Sequence, residues 1–277
     1  MTKARIDARF DALKAEGRAA FVAYIMAGDP DYDTGLEILK GLPAAGADVI
    51  EVGFPFSDPM AEGPPIQRAA LRALENGMTF SKTLQMIAEF RKGDQTTPIV
   101  LMGYANPLVT RGFRQFAQDA AKAGVDGLIV VDIPPEEADP LADALDAEQL
   151  SLLLLSTPTS DDARLKVILR RTSGFAYYVS VAGVTGVKEA DASVVAPHVE
   201  RVRSAGGLPV AVGFGIRTPE RAAAVARVAD GVVVGSALVE EVATGLAMNE
   251  SVTGRVLSKV ESLAKAVRSA RVESLSV

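Results

Sequence analysis

Short apolar runs recur along the chain, and after each come apolar residues spaced three or four apart. The runs cover residues 19–26, 49–52, 98–103, 127–131, 151–155, 176–180, 209–212 and 231–234. Most are apolar without alternation, as parallel strands covered on the outside by helices should be. Between them, Leu36, Leu39 and Leu42 form one helical stripe, Leu84, Ile87 and Phe90 a second, and Phe113, Phe116, Ala117 and Ala120 a third. Ser160 before Asp161 and Asp162, and Thr218 before Pro219, mark helix starts, and Ser236 is placed to cap the helix after the last run.

A weak internal repeat supports this parsing. Ala45-Gly46-Ala47-Asp48, Ala123-Gly124-Val125-Asp126-Gly127 and Val228-Ala229-Asp230-Gly231 each precede an apolar run. Each reads as a helix ended by a small residue, a tight turn and a buried strand. Eight such units without a linker predict an α/β fold, one (β/α)8 TIM barrel domain over residues 1–277. An open doubly wound sheet is the alternative. A helical N-terminal segment, 1–18, is expected to plug the barrel's bottom through residues 6–16. A helical C-terminal tail, 250–277, carries Val256, Val260, Leu263 and Val267 at helical spacing and is expected to pack on the barrel.

Composition removes several function classes. Lys plus Arg number 29 against 35 Asp plus Glu, a net charge of −6, which disfavours phosphate-backbone binding. Hydrophobic residues at 48% and charged residues at 23% fit a packed globule. No cysteine is present, so disulfides, thiolate metal sites and a Cys nucleophile are excluded. The one histidine, His198, is expected on the surface of an outer helix, which leaves no His zinc centre and no Ser-His-Asp triad; no metal site is expected. The charged N-terminus and the lack of an apolar stretch of ~18 residues predict a soluble cytoplasmic protein.

Barrel chemistry sits where strands end at their C-terminal side. Glu51 lies inside the apolar run 49–52. Pointing inward without a partner, it would have a raised pKa suited to proton transfer; pointing outward, it would pair with a helix cation. The loop that follows is long and rich in Pro and Gly, and it carries Asp58 and Glu62. Folded back, it could set Glu62 across a pocket from Glu51, or the two acids could serve loop hydrogen bonds only. Gly213-Phe214-Gly215 and Gly235-Ser236 follow the last two runs and suit a phosphate, or simply make tight turns. The loop 181–189 reads as a lid. Tyr177 can donate into the pocket or fill the core. No lysine falls within the eight runs, so a Schiff-base residue has no candidate.

Glu51-Val52-Gly53, Pro55-Phe56-Ser57-Asp58-Pro59, Gly63-Pro64 and Ile66-Gln67 together resemble the tryptophan synthase α-subunit family. Gly28-Asp29-Pro30, Tyr104-Ala105-Asn106-Pro107, Gly183-Val184-Thr185-Gly186, Gly213-Phe214-Gly215-Ile216 and Gly235-Ser236 fit it in the same order, from about residue 19 to about 242. The chain beyond Gly245 is longer than the resemblance leads one to expect. The resemblance implies retro-aldol cleavage of indole-3-glycerol phosphate to indole and glyceraldehyde 3-phosphate. It assigns Glu51 the proton transfer to indole C3, Tyr177 a place near the reacting hydroxyl and Tyr24 a contact with the indole. Gly186, Phe214, Gly215, Gly235 and Ser236 fall to the phosphate. Glu62 stands where the family carries Asp, the partner of the indole N–H, and is one methylene longer. No cofactor is implied in this chain. A β subunit using pyridoxal phosphate is implied as partner, in an α2β2 heterotetramer. Pro55, Phe56, Pro59, Met60, Tyr104 and Leu108 are expected to put an apolar face at the mouth for it. Two other readings remain at this point: a non-catalytic, phosphate-binding activator of a β subunit, kept open by Glu62, and a different phosphate-binding barrel such as an isomerase or flavin enzyme.

Overall fold

The computed structural model describes residues 3–180, 192–213 and 215–271. Among them are nine parallel strands: β1 (Ala20–Met26), β2 (Val49–Gly53), β3 (Ile99–Gly103), β4 (Gly127–Val130), β5 (Ser151–Leu153), β6 (Leu155–Ser156), β7 (Ala176–Val179), β8 (Val210–Gly213) and β9 (Gly231–Val234). Their order is β5-β4-β3-β2-β1-β9-β8-β7-β6, so the two edge strands are neighbours in sequence, separated only by Leu154. They are the two halves of one stave. β5 pairs with β4 through Ile129 and Leu153, and β6 pairs with β7 from Leu155 and Tyr177. The single fifth strand expected from residues 151–155 is therefore split, and the barrel expected from the sequence closes through it. The structural class is a TIM barrel.

Alternation along each strand sorts the core into two shells. Phe21, Ala23, Ile50, Val52, Ile99 and Leu101 face the helices. Val22, Val49, Val100, Ile129, Leu153, Ala211 and Val233 fill the interior. Burial on both faces is why the runs show no polar alternation. Helix α1 (Lys3–Ala15) inserts Ile6, Phe10 and Leu13 into the interior shell, with the Phe10 and Phe175 rings 5.3 Å apart. It closes the bottom of the barrel, as expected.

Each repeat turn carries a structural aspartate. The Asp48 amide donates to the Phe21 carbonyl while its carboxylate accepts the Phe21 amide. Asp126 does the same with Ile99, and Asp230 with Val210. Each strand is thereby fastened to its neighbour through backbone and side chain at once.

The outer helices used below are α2 (Tyr32–Ala45), α3 (Pro64–Glu75), α4 (Phe80–Arg91), α5 (Ala105–Arg111), α6 (Phe113–Ala123), α7 (Asp139–Ala147), α8 (Asp162–Arg171), α9 (Ala192–Gly206), α10 (Pro219–Ala226), α11 (Ser236–Met248) and α12 (Val252–Ser269). The caps differ in detail from expectation. Asp161, rather than Ser160, accepts from the third residue of α8, the Arg164 amide. Gly235, rather than Ser236, stands before α11, and no side chain caps it. In α12, Val256, Val260, Leu263 and Val267 are buried, packed among α2, α10 and α11, as the tail's spacing predicted. His198 is half-buried rather than on the surface, because its ring stacks on Tyr178 of β7 at 5.6 Å and 17°.

Candidate active site

Glu51 sits between outward Ile50 and Val52, so strand alternation turns it into the barrel. It is 1% exposed, and its Oε1 has no hydrogen-bond partner. The outward, salt-bridged alternative is excluded. Burial pushes its carboxyl up to about 8, and the Glu62 carboxylate adds to the rise.

Glu62 is buried too, and burial pushes its carboxyl up to about 7. Several contacts fix the loop that delivers it. Its amide donates to the Pro59 carbonyl at 3.1 Å, and its carbonyl accepts Gln67 Nε2 at 2.9 Å. The Ala61 amide donates to the Tyr104 hydroxyl at 2.9 Å, and the Tyr104 ring stacks on Phe56. Pro64 and Pro65 then open α3. That helix is tied to the loop after β1 by the Arg72 guanidinium, bidentate on buried Asp29 at 2.8 Å, and by Asn76 on the Pro30 carbonyl. Asp58 is exposed and accepts the Ser57 hydroxyl at 2.5 Å, so its role is within the loop.

Tyr24 lies on β1 in register with Glu51, and Tyr177 lies on β7. Strand-end glycines give both rings room. A Cβ at Gly53 would fall 2.2 Å from the Tyr24 hydroxyl, and one at Gly213 would fall 2.5 Å from that of Tyr177. Burial, with the two glutamates alongside, drives both phenols well above their usual pKa, so they remain donors.

Glu51, Glu62, Tyr24 and Tyr177 line one cavity of about 650 Å³, counted with its open mouth. Gly215, Gly235 and Ser236 line it as well, with Gly215 at φ 74°. Gly186 and Phe214, the other two residues expected at the phosphate, lie outside the described residues, as does the lid loop. The cavity also takes in Ile66 and Ile216, which stand in the motifs of the resemblance without a role, and Met102, Val233 and Arg217, which no motif singles out. Met102 and Val233 were in principle legible by counting two residues on from inward Val100 and Gly231. Among the described residues no group of His, Cys, Asp and Glu could hold a metal.

The apolar face expected at the mouth needs correcting. Leu108 and Tyr104 are buried, because α5 turns Leu108 into the outer core and Tyr104 reaches under the Glu62 loop. Met60 at 74% and Val109 at 61% are the large apolar residues exposed there.

A family model described as tryptophan synthase alpha chain matches residues 10–268. The chain is 76% identical over 271 residues to the tryptophan synthase alpha chain of Phenylobacterium zucineum (strain HLK1), covering 98% of each. It is 70% identical over 272 residues to that of Caulobacter vibrioides (strain NA1000 / CB15N), covering 98% of this chain and 99% of the other. The crystal structure of tryptophan synthase subunit alpha from Legionella pneumophila str. Paris superposes with a TM-score of 0.89 at 40% identity, covering 95% and 98% of the two chains. A structure of Mycobacterium tuberculosis tryptophan synthase superposes with a TM-score of 0.86 at 36% identity, covering 95% and 98%. The matched span takes in α12, so the C-terminal helix is within the pattern of these relatives rather than an extension of it.

Proposed function

The chain belongs to the tryptophan synthase alpha chain family, an enzyme family of tryptophan synthesis, and from that premise we propose that its cavity cleaves indole-3-glycerol phosphate to indole and glyceraldehyde 3-phosphate. The observation that carries this reading is the buried Glu51 carboxyl, its Oε1 unpartnered, in the same cavity as a second glutamate.

A carboxyl with a pKa of about 8 is largely neutral at pH 7 and can donate. Glu51 gives its proton to indole C3, which leaves positive charge on the ring nitrogen. The ionised Glu62 carboxylate, set toward the N–H, lowers the energy of that charge. Glu51, now a carboxylate, takes the proton of the side-chain hydroxyl, with Tyr177 orienting that group. As the O–H proton leaves, an aldehyde C=O forms and the bond between C3 and the side chain breaks. Its electron pair returns to the ring and neutralises the nitrogen. The protonated indole is itself the electron sink, so the half-reaction draws on no cofactor in this chain. Tyr24 contacts the indole. Gly215, Gly235 and Ser236 receive the phosphate, together with Gly186 and Phe214 as implied by the family pattern.

The partner is a β chain, in an α2β2 assembly, to which the indole passes and which carries the pyridoxal phosphate. The whole chain acts as one barrel domain in the cytoplasm. Glu51→Gln is nearly isosteric but transfers no proton, and it is expected to lower indole release at least 10²-fold without loss of fold. Indole release with and without β chain checks this, and a rate within a few-fold of the parent would remove Glu51 from the mechanism. If the parent itself releases no indole yet stimulates the β reaction, the chain is an activator.

A further inference from the structure

Among the described residues that line the cavity, Arg217 is the one cation; the other ionisable ones are Glu51, Glu62, Tyr24 and Tyr177. A phosphate monoester dianion entering here meets two carboxyl groups, and the backbone amides of the glycine turns carry no full positive charge to offset them.

The Arg217 guanidinium rests on Glu240, with Nη2 3.0 Å from Oε1 and Nη1 on Oε2. Glu240 lies on α11 four residues after Ser236, so the two stand one above the other, a single helical turn or ~5.4 Å apart. The guanidinium is thus parked one turn from the end of α11 that opens into the cavity. Arg217 is 47% exposed and Glu240 36%, and a pair this wet costs little to open. The arm also starts two residues from Gly215, itself part of the cavity wall.

The geometry points to Arg217 as an arm that swings from Glu240 to the substrate's phosphate, making this pair a determinant of affinity and charge selectivity at that end of the cavity. The inference rests on the reading that a phosphate monoester occupies this end. Glu240 acts in two opposed ways. It competes with the phosphate for the guanidinium, and left bare it repels the dianion from one turn away. A pair serving only to brace the loop against α11 would do neither.

Calorimetric titration of the full chain with glycerol 3-phosphate at low and high salt separates these views. We expect Arg217→Gln to weaken binding about tenfold and to flatten its salt dependence, with Arg217→Lys keeping much of the affinity. Glu240→Gln should tighten binding a few-fold, and the double variant should bind better than Arg217→Gln alone. In indole release the Arg217→Gln loss should fall on KM. Unchanged affinity in Arg217→Gln, or equal weakening in both single variants with equally lowered Tm, would overturn the inference. Failure of the underlying reading is distinct: glycerol 3-phosphate would then bind in this Arg217-dependent way while the parent releases no indole.

Discussion

Glu51 and Glu62 share a cavity, and each is held protonated to a higher pH than a free carboxyl. For the proposed chemistry Glu51 must start protonated and Glu62 ionised. The kcat/KM profile should therefore fall on the acid side near 7 and on the alkaline side near 8, as apparent values of the pair. Glu62→Gln removes the charge that helps raise Glu51, so its alkaline limb should move to lower pH; Glu62→Ala should lose ~10²–10³ in kcat, and Glu62→Asp should keep the activity. Steady-state rates across pH 6–9 check each limb, and an unmoved alkaline limb in Glu62→Gln would separate the two groups. The same burial acts on stability. In the unfolded chain Glu51 ionises near 4.5, in the folded chain near 8. Between these values the folded state holds the extra proton, so stability falls as pH rises, and above about 8 the full cost of a buried carboxylate is present. Glu51→Gln removes that cost. Its unfolding free energy should exceed the parent's by an amount that grows from pH 5 to 8, on the order of a few kcal/mol at the upper end, read as a rising Tm difference across that range.

Among the elements, the turn before a strand was legible as a turn but not as a clamp. The sequence repeats a small residue and an aspartate at residues 48, 126 and 230. Only the register shows that each carboxylate accepts the amide of a residue in the preceding strand of the sheet or at its threshold. Asp126 and Asp230 differ in their cations. Asp126 is fully buried between Arg91, itself 6% exposed, and Arg5. Asp230 is held by Arg203, which is 34% exposed. Removing Asp126 strands a buried guanidinium, whereas removing Asp230 leaves one that water can solvate. Asp126→Ala is expected to cost about 3–5 kcal/mol and Asp230→Ala about 1–2 kcal/mol, read as the shift in urea midpoint at unchanged m. Glu51 was legible for a related reason: a charge inside an apolar run is expensive wherever it points, and alternation decides that it points inward. The split of the fifth stave was not legible, because residues 151–155 are uniformly apolar and the break lies in which neighbour each half pairs with. Arg217 escaped because a long side chain's direction depends on where Glu240 arrives, and that follows from helix placement, not from local pattern.

Over the whole molecule the barrel has two unlike ends. The bottom is shut by α1, whose Ile6, Phe10 and Leu13 complete the interior core. The mouth carries the cavity and, beside it, Met60 and Val109, large apolar side chains with no cover in the isolated chain. Indole is neutral and leaves an open mouth freely, so a partner seated there turns the cavity into one end of a closed route. The β chain proposed above should therefore dock on the loop that follows β2 and on α5. Met248 gives the matching control. Its exposure, 62%, matches the 61% of Val109, but it ends α11, and the helices of a β/α barrel run back from the mouth, so it lies at the opposite end. Met60→Asp and Val109→Asp each place a charge on the docking face and should weaken association with the β chain by about tenfold or more, because a buried unpaired charge is costly at an interface. Met248→Asp should leave association unchanged, although it takes the net charge from −6 to −7 just as the two mouth variants do. Sedimentation of mixtures with β chain reads the outcome: weakening by Met248→Asp as strong as by Met60→Asp would make the effect one of general charge, and an unaltered complex in both mouth variants would move the partner elsewhere.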